Sequence, residues 1–356
     1  MLGIAARRGA AGRQVHMPET PGLDVAALTA WLSKAHPELA AGPLRAEVIA
    51  GGRSNLTYSV EGARVPLVLR RPPLGHVLSS AHDMAREHRV ISALAGSAIP
   101  VPTAVDLVDD TGGDITGTTF FLMEKAPGKV VVSRKQNAAY TSDEIRDLSF
   151  ELIHHLAALH SVDVEAVGLE GFGKPVGYLT RQLSTWRRQL EASRSRDVPA
   201  LDKLQAALEQ GVPETTRTGI VHGDYRLDNA LVDGNPPKIS AILDWEMATL
   251  GDPLVDLGIF ALYWDIGKLP SGGAIASAVD PAAGYPEFEE LAESYAVEAG
   301  ITLPDLSWYR AFAAYKLAVI LEGIHYRYQA GGTVGEGFDR IGELVEPLAE
   351  NGLKVL

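Results

Sequence analysis

The alternation of apolar and polar positions divides the chain into a β-rich first third and a helical remainder. Behind Asp24, a ready N-cap, Val25, Leu28 and Leu32 recur at helical spacing, which predicts a helix over residues 22–36. From Ala46 the period shortens to two. AEVIA and LTYSV read as strands joined through the glycine-containing GGRSN, and PLVLR follows Glu61-Gly62 as a third strand. Residues 80–95, SAHDMAREHRVISALA, read as an amphipathic helix closed by Gly96 and by Pro100 and Pro102. PVPTAVDLVDD and TTFFLMEKA supply two more strands around a glycine-rich turn at 112–117. The order β-β-β-α-β-β describes a small antiparallel sheet with one helix.

Pro127-Gly128 marks a boundary, beyond which the pattern turns helical over 142–160, opening at Ser142, and over 178–193, 200–209, 286–299 and 305–329. Only residues 219–243 interrupt with β character. The loop 267–286 is long enough to be a lid or a specificity loop. An α+β chain is therefore expected, with a disordered tail at 1–21, an N-terminal region at 22–125 and a C-terminal region at 126–356.

Composition narrows the function classes. With 356 residues, 46% of them hydrophobic, the chain can bury a substantial core. No apolar run reaches the roughly 18 residues of a membrane helix, so no membrane partner is expected. The absence of cysteine removes disulfides, thiolate metal sites and cysteine nucleophiles, and it fits a reducing, cytoplasmic setting. Arg7, Arg8 and Arg13 lie in a start without the apolar stretch of a secretory signal, read as a tail or as chain upstream of a start at Met17. A net charge of −13 argues against a nucleic-acid partner, because phosphate contacts need a basic face.

Candidate chemistry concentrates in GIVHGDYRLDNALVDGNPPKISAILDWEMATLGDPLVDLG, residues 219–258. Ile220-Val221 leads into His222-Gly223-Asp224, Asn229 precedes a second short strand, and Ile239 to Leu243 leads into Asp244. Phosphoryl transfer needs hard oxygen ligands for a divalent cation and a carboxylate to take the acceptor's proton. Asp224, Asn229 and Asp244 offer these groups. Asp252 and Asp256, in LGDPLVDLG, read instead as capping or loop-bracing residues.

The segment His222 to Asn229 resembles the HGDxxxxN loop of the aminoglycoside phosphotransferase and choline kinase superfamily, which is related to the HRDxxxxN loop of protein kinases. Asp244 matches the metal-binding Asp of DFG, although Trp245-Glu246 follows it here. The resemblance covers nearly the whole chain. It implies a two-lobed protein-kinase-like fold, with a small antiparallel-sheet N-lobe carrying one helix and a larger, mainly helical C-lobe. It also implies Asp224 as base, Asn229 and Asp244 as Mg²⁺ ligands, a structural His222, and ATP as donor with GTP left open.

On the nucleotide side the resemblance puts GGRSNLTY, 51–58, over the phosphates, with Ser54, Asn55 and nearby amides as contacts. Arg70 occupies the place of the usual strand-three lysine, with Glu87 as its partner, and the alternation Leu67, Leu69, Arg71 leaves open that Arg71 points the other way into solvent. The backbone of Glu124, Lys125 and Ala126 would meet the adenine edge. Gly168 to Lys174 also fits GxxxxGK, but Pro175 replaces the metal-binding Ser or Thr and a helix precedes it, so it is not read as a phosphate loop. His154, His155 and His160 lack the spacing of a helical zinc pair.

GGRSNLTY, VLRRPP and LDWEMATLGDPLVDLG look most like the bacterial branch related to the kinase region fused to some acyl-CoA dehydrogenases. That likeness implies a small-molecule hydroxyl acceptor, either a hydroxyacyl thioester or an aminoglycoside. The aminoglycoside reading would use Asp265, Glu287, Glu289, Glu290 and Glu293. The rival reading is a nucleotide-binding regulator without turnover. Retention of Asp224, Asn229 and Asp244 argues against it.

Overall fold

The computed structural model describes residues 20–49, 55–74, 83–269, 278–331 and 340–356. Helix α1 (Val25–Ala35) starts where the sequence places it, because the Asp24 carboxylate accepts the Ala27 N–H at 2.9 Å. Strands β1 (Arg45–Val48), β2 (Leu56–Glu61), β3 (Leu67–Arg71), β4 (Ala104–Val108) and β5 (Phe120–Glu124) form one antiparallel sheet in the order β1-β2-β3-β5-β4. Strand β3 lies at its centre. Side-chain alternation sends Leu67 and Leu69 against α1, with Leu28, Leu32, Phe120 and Leu122, while Val68 and Phe121 join the larger core on the other face.

Arg71 points away from Arg70, but not into solvent. It is only 4% exposed, and its guanidinium donates to the carbonyls of Gly22, Pro72 and Thr116. Backbone acceptors from two flanking loops replace water around the charge, so it ties those loops to the sheet.

Helix α2 (Met84–Leu94) is capped by Asp83, whose side chain accepts the Arg86 N–H; residues 80–82 of the predicted helix lie outside the described residues. Its arginines reach across to the helical part. Arg86 donates to the carbonyls of Phe172 and Ala248, and Arg89 to those of Gly168 and Glu170. The GxxxxGK-like segment thus turns carbonyls toward α2 and tethers it to the helical part.

Beyond β6 (Lys129–Val130) come α3 (Arg134–Asn137), α4 (Ser142–His160), α5 (Tyr178–Ser193) and α6 (Pro199–Gln210). The cap of α4 is Thr141, one residue before Ser142, with a reciprocal bond between Thr141 and Glu144. Strands β7 (Gly219–Val221), β8 (Ala230–Asp233), β9 (Lys238–Ile242) and β10 (Thr249–Gly251) carry the polar turns, with β7 paired to β10 and β8 between β6 and β9. Helices α7 (Leu254–Asp265), α8 (Phe288–Ala299), α9 (Ser307–Gln329) and α10 (Val345–Val355) complete the C-terminal part. His154 bonds Ser294 and His160 is buried against Tyr295 and Asp256, and among the described residues no group of three or more histidine or acidic side chains is placed to hold a metal.

Helix α7 was not expected from the pattern, because it is apolar all round: ten of its twelve residues are buried, so no stripe marks a face. Gly258 allows it to lie directly on α9. A Cβ there would come within 2.5 Å of the Tyr309 carbonyl oxygen. Gly258→Ala should therefore lower stability by about 1–3 kcal/mol in urea unfolding, as overpacking does where backbone cannot yield.

Candidate active site

The loop between β7 and β8 is held from below by one buried carboxylate. Asp256, in the first turn of α7, accepts the His222 N–H at 2.6 Å and the Gly223 N–H at 2.7 Å. His160 adds a bond at 3.2 Å from the other side, and its Nδ1 meets the Tyr295 hydroxyl at 2.7 Å. Burial alone would raise the Asp256 carboxyl, but the His160 bond and the flanking charges and amides hold it below the usual range. The bracing role expected of Asp256 is the one the contacts describe. His222 is structural too: its Nε2 lies 2.9 Å from the Leu243 carbonyl and its ring packs on Trp245, joining the loop to the end of β9.

Above this brace the side chains of Asp224, Asn229 and Asp244 line one cleft of about 1720 Å³. Asn229 donates from Nδ2 to the Asp224 backbone carbonyl at 2.8 Å and to its Oδ2 at 3.0 Å. With the amide nitrogen so engaged, the Asn229 carbonyl oxygen remains for a ligand. Asp244 holds φ at 66°, the one positive value outside glycine among the described residues. Left-handed backbone at a non-glycine residue is costly, and such conformations cluster at functional sites. Two oxygen donors from adjacent strand ends suit a hard cation that completes its shell with phosphate oxygens and water.

The predicted nucleotide side converges on the same cleft. Arg70 Nη1 lies 3.0 Å from Glu87 Oε1, and its Nη2 lies 3.4 Å from Asp244 and 3.8 Å from Glu246. Burial would lower the Arg70 guanidinium, but these carboxylates outweigh it and raise it. Glu87, 1% exposed, is pushed up to about 7, chiefly by burial, because its cation is shared with Asp244 and Glu246. Arg70 Nε and Glu87 Oε2 are buried without a hydrogen-bond partner.

Asn55 also lines the cleft, but its side-chain amide is committed to Glu246 at 2.9 Å. Ser54 lies outside the described residues. At the crossing between sheet and helices, the Glu124 N–H donates to Thr103 O and the Lys125 N–H to Pro66 O, while Lys125 Nζ turns to Ser59. That leaves the Ala126 N–H as the uncommitted amide of the three among the described bonds.

Arg226, Glu246 and Lys316 are among the charged residues of the cleft that sequence reasoning missed. Arg226 Nε stands 3.4 Å from Asp224, Glu246 ties Asn55 to the Arg70 cluster, and Lys316 enters from α9. Arg226 lay inside the quoted motif, and its position two residues from Asp224 was the available signal. By contrast Asp265, Glu287, Glu289 and Glu290 pair with Lys268, Arg310 and Arg146 on the surface. None of these four, nor Glu293, lines the cleft.

Residues 45–293, which include the whole loop and both of its partners, match the model of the phosphotransferase enzyme family APH. The chain belongs to that family. Among the relatives of this phosphotransferase-family chain is acyl-CoA dehydrogenase family member 10 of Mus musculus, 35% identical over 87% of the chain and 29% of the relative. Acyl-CoA dehydrogenase family member 11 of Gallus gallus is 32% identical over 90% of the chain and 41% of the relative. The chain thus spans less than half of these relatives' lengths. A solved structure from Ralstonia eutropha, described as a candidate aminoglycoside phosphotransferase, superposes with a TM-score of 0.80 at 33% identity, covering 94% of this chain and 98% of that one. Aminoglycoside phosphotransferase APH(4)-Ia, solved with ADP and hygromycin B, shares the fold at 15% identity and a TM-score of 0.60 over 92% and 98% of the two chains. The kinase-like two-lobed fold expected from the motif is therefore the one observed.

The raised Glu87 gives a pH signature with a definite sign. A carboxyl titrating near 4.5 unfolded and about 7 folded favours folding fully below 4.5 and loses that contribution as pH rises through 7. Urea midpoints of the nucleotide-free protein should show this decline, and Glu87→Gln should flatten it.

Proposed function

We propose that the chain is an ATP- and Mg²⁺-dependent phosphotransferase that moves the γ-phosphate to a hydroxyl of a small molecule. The observation that carries the proposal is the convergence of Asp224, Asn229 and Asp244 in one cleft with the Arg70–Glu87 pair. Asp224 takes the proton of the acceptor hydroxyl as that oxygen bonds to the γ-phosphorus. The bond from phosphorus to the bridging oxygen breaks, and ADP leaves with the electron pair. Arg70 neutralises phosphate oxygens and is itself oriented by Glu87. Asn229 and Asp244 are the residues that would hold Mg²⁺, which supplies charge neutralisation for the phosphates. The Ala126 amide is placed for the base edge, and low-identity neighbours solved with ADP or with GDP support a purine nucleotide donor.

For the acceptor, the support comes from the part of the cleft lined by α9. Leu317, Ile320, Leu321 and Ile324 of α9, with Ile341 and Leu344, give it apolar lining beside Arg327, Arg340 and Glu343, and the acidic surface pairs that would suit a polycation lie elsewhere. An elongated apolar acceptor such as a hydroxyacyl thioester fits this wall better than an aminoglycoside. The names of the relatives, acyl-CoA dehydrogenase family members, point the same way.

Asp224→Asn should reduce transfer by roughly 10²–10⁴-fold, as loss of a positioned base does, while Mg·ATP affinity stays within a few fold. Equal turnover by wild type and variant would defeat the assignment. A transfer screen over hydroxyacyl thioesters, choline-like alcohols, sugars and aminoglycosides identifies the acceptor. With the preferred acceptor, Ile320→Glu should raise its KM by roughly tenfold or more, since a charge there opposes an apolar chain, and leave the KM for ATP unchanged.

A further inference from the structure

Lys316 is an unusual residue to find on the inner face of α9. It is buried, and its ammonium donates to the Gly223 carbonyl, with the Met247 sulfur at 3.8 Å and the Trp186 ring at 5.3 Å as its other neighbours. A lysine so deeply placed loses hydration that a methionine would not have to give up. Burial pushes its ammonium below the ordinary lysine range, against the pull of Asp224 and Asp256.

The carbonyl it holds belongs to the peptide group between Gly223 and Asp224. The other end of that peptide, the Asp224 N–H, donates to His222 Nδ1 at 3.2 Å. The preceding peptides are fixed by Asp256 through the N–H groups of His222 and Gly223. Gly223 itself, at φ 86°, has no room for a side chain, since a Cβ would meet Met247 Cβ at 2.8 Å. The plane that aims the Asp224 carboxylate is therefore pinned at both edges, and its oxygen edge is pinned by Lys316 alone among the described contacts. This pin comes from a position beyond residues 45–293, the span the family model matches.

We propose that Lys316 is a positioning residue for phosphoryl transfer, which orients the Gly223–Asp224 peptide so that Asp224 faces the acceptor hydroxyl. The proposal rests on the phosphotransferase reading above. A shift of the base by a fraction of an ångström is enough to slow transfer without touching nucleotide contacts, because reaction demands close alignment of base, oxygen and phosphorus.

The test compares Lys316→Met, Lys316→Arg and Asp224→Asn with wild type, reading Mg·ATP-dependent phosphate release with and without the best acceptor, KM for ATP, and the thermal midpoint. For Lys316→Met the expectation is a kcat lower by roughly a hundredfold, the scale that misplacement brings, with an unchanged KM for ATP and a midpoint equal to or above wild type. Lys316→Arg, which keeps a donor, should recover at least a tenth of the wild-type kcat. Turnover that Asp224→Asn abolishes but Lys316→Met leaves within threefold overturns the role of Lys316 alone. A kcat loss that comes with a lowered midpoint and is not recovered by Lys316→Arg also overturns it, because the residue would then be only a packing element. Turnover insensitive to Asp224→Asn sinks the phosphotransferase reading, and this inference with it.

Discussion

Two backbone amides and one sunken carboxylate decide where the loop after β7 lies. Asp256 has no solvent to turn to, so its interaction with the N–H groups of His222 and Gly223 is kept, and the loop cannot drift without stranding a charge. From this anchor the rest follows in sequence. His222 reaches the carbonyl before Asp244, Asn229 folds back on Asp224, and the two strand ends present their oxygens to a common space. The polar turn is therefore one hydrogen-bonded unit, whose parts hold each other.

Within the cleft, two arginines are outnumbered by their own carboxylate partners. Arg70 is shared among Glu87, Asp244 and Glu246, while Arg226 faces Asp224 and Asp228. Carboxylates outnumber these two cations, a state that costs energy in a partly dehydrated site and that a divalent ion would relieve. Phosphates alone would add to the negative charge. In the proposed enzyme, metal and nucleotide binding would be coupled through the same cluster that perturbs Glu87.

Much of the fold was legible because periodicity and capping are local. The stripe behind Asp24, the alternation of PLVLR and the limits of α5 could be read from neighbouring residues. Helix α7 was not legible, since burial on every side erases the stripe. The site divides in the same way. Asp224, Asn229 and Asp244 sit in one short motif, whereas the contribution of Lys316 depends on α9 crossing beneath a turn 93 positions away in sequence. Arg71 misled for a related reason: alternation told its face but not that backbone carbonyls of two loops would cover it.

The clasp made by Arg86 and Arg89 holds the helix that carries Glu87. Glu87 sits between them on α2, so the side chain that orients Arg70 is mounted on a helix bolted to the opposite lobe through the carbonyls of residues 168, 170, 172 and 248. Swinging that helix outward, the familiar off-switch of signalling kinases, would tear several charge-assisted bonds at once. A helix held this way would keep Glu87 beside Arg70, so the proposed catalyst would need no separate switch to assemble its nucleotide side.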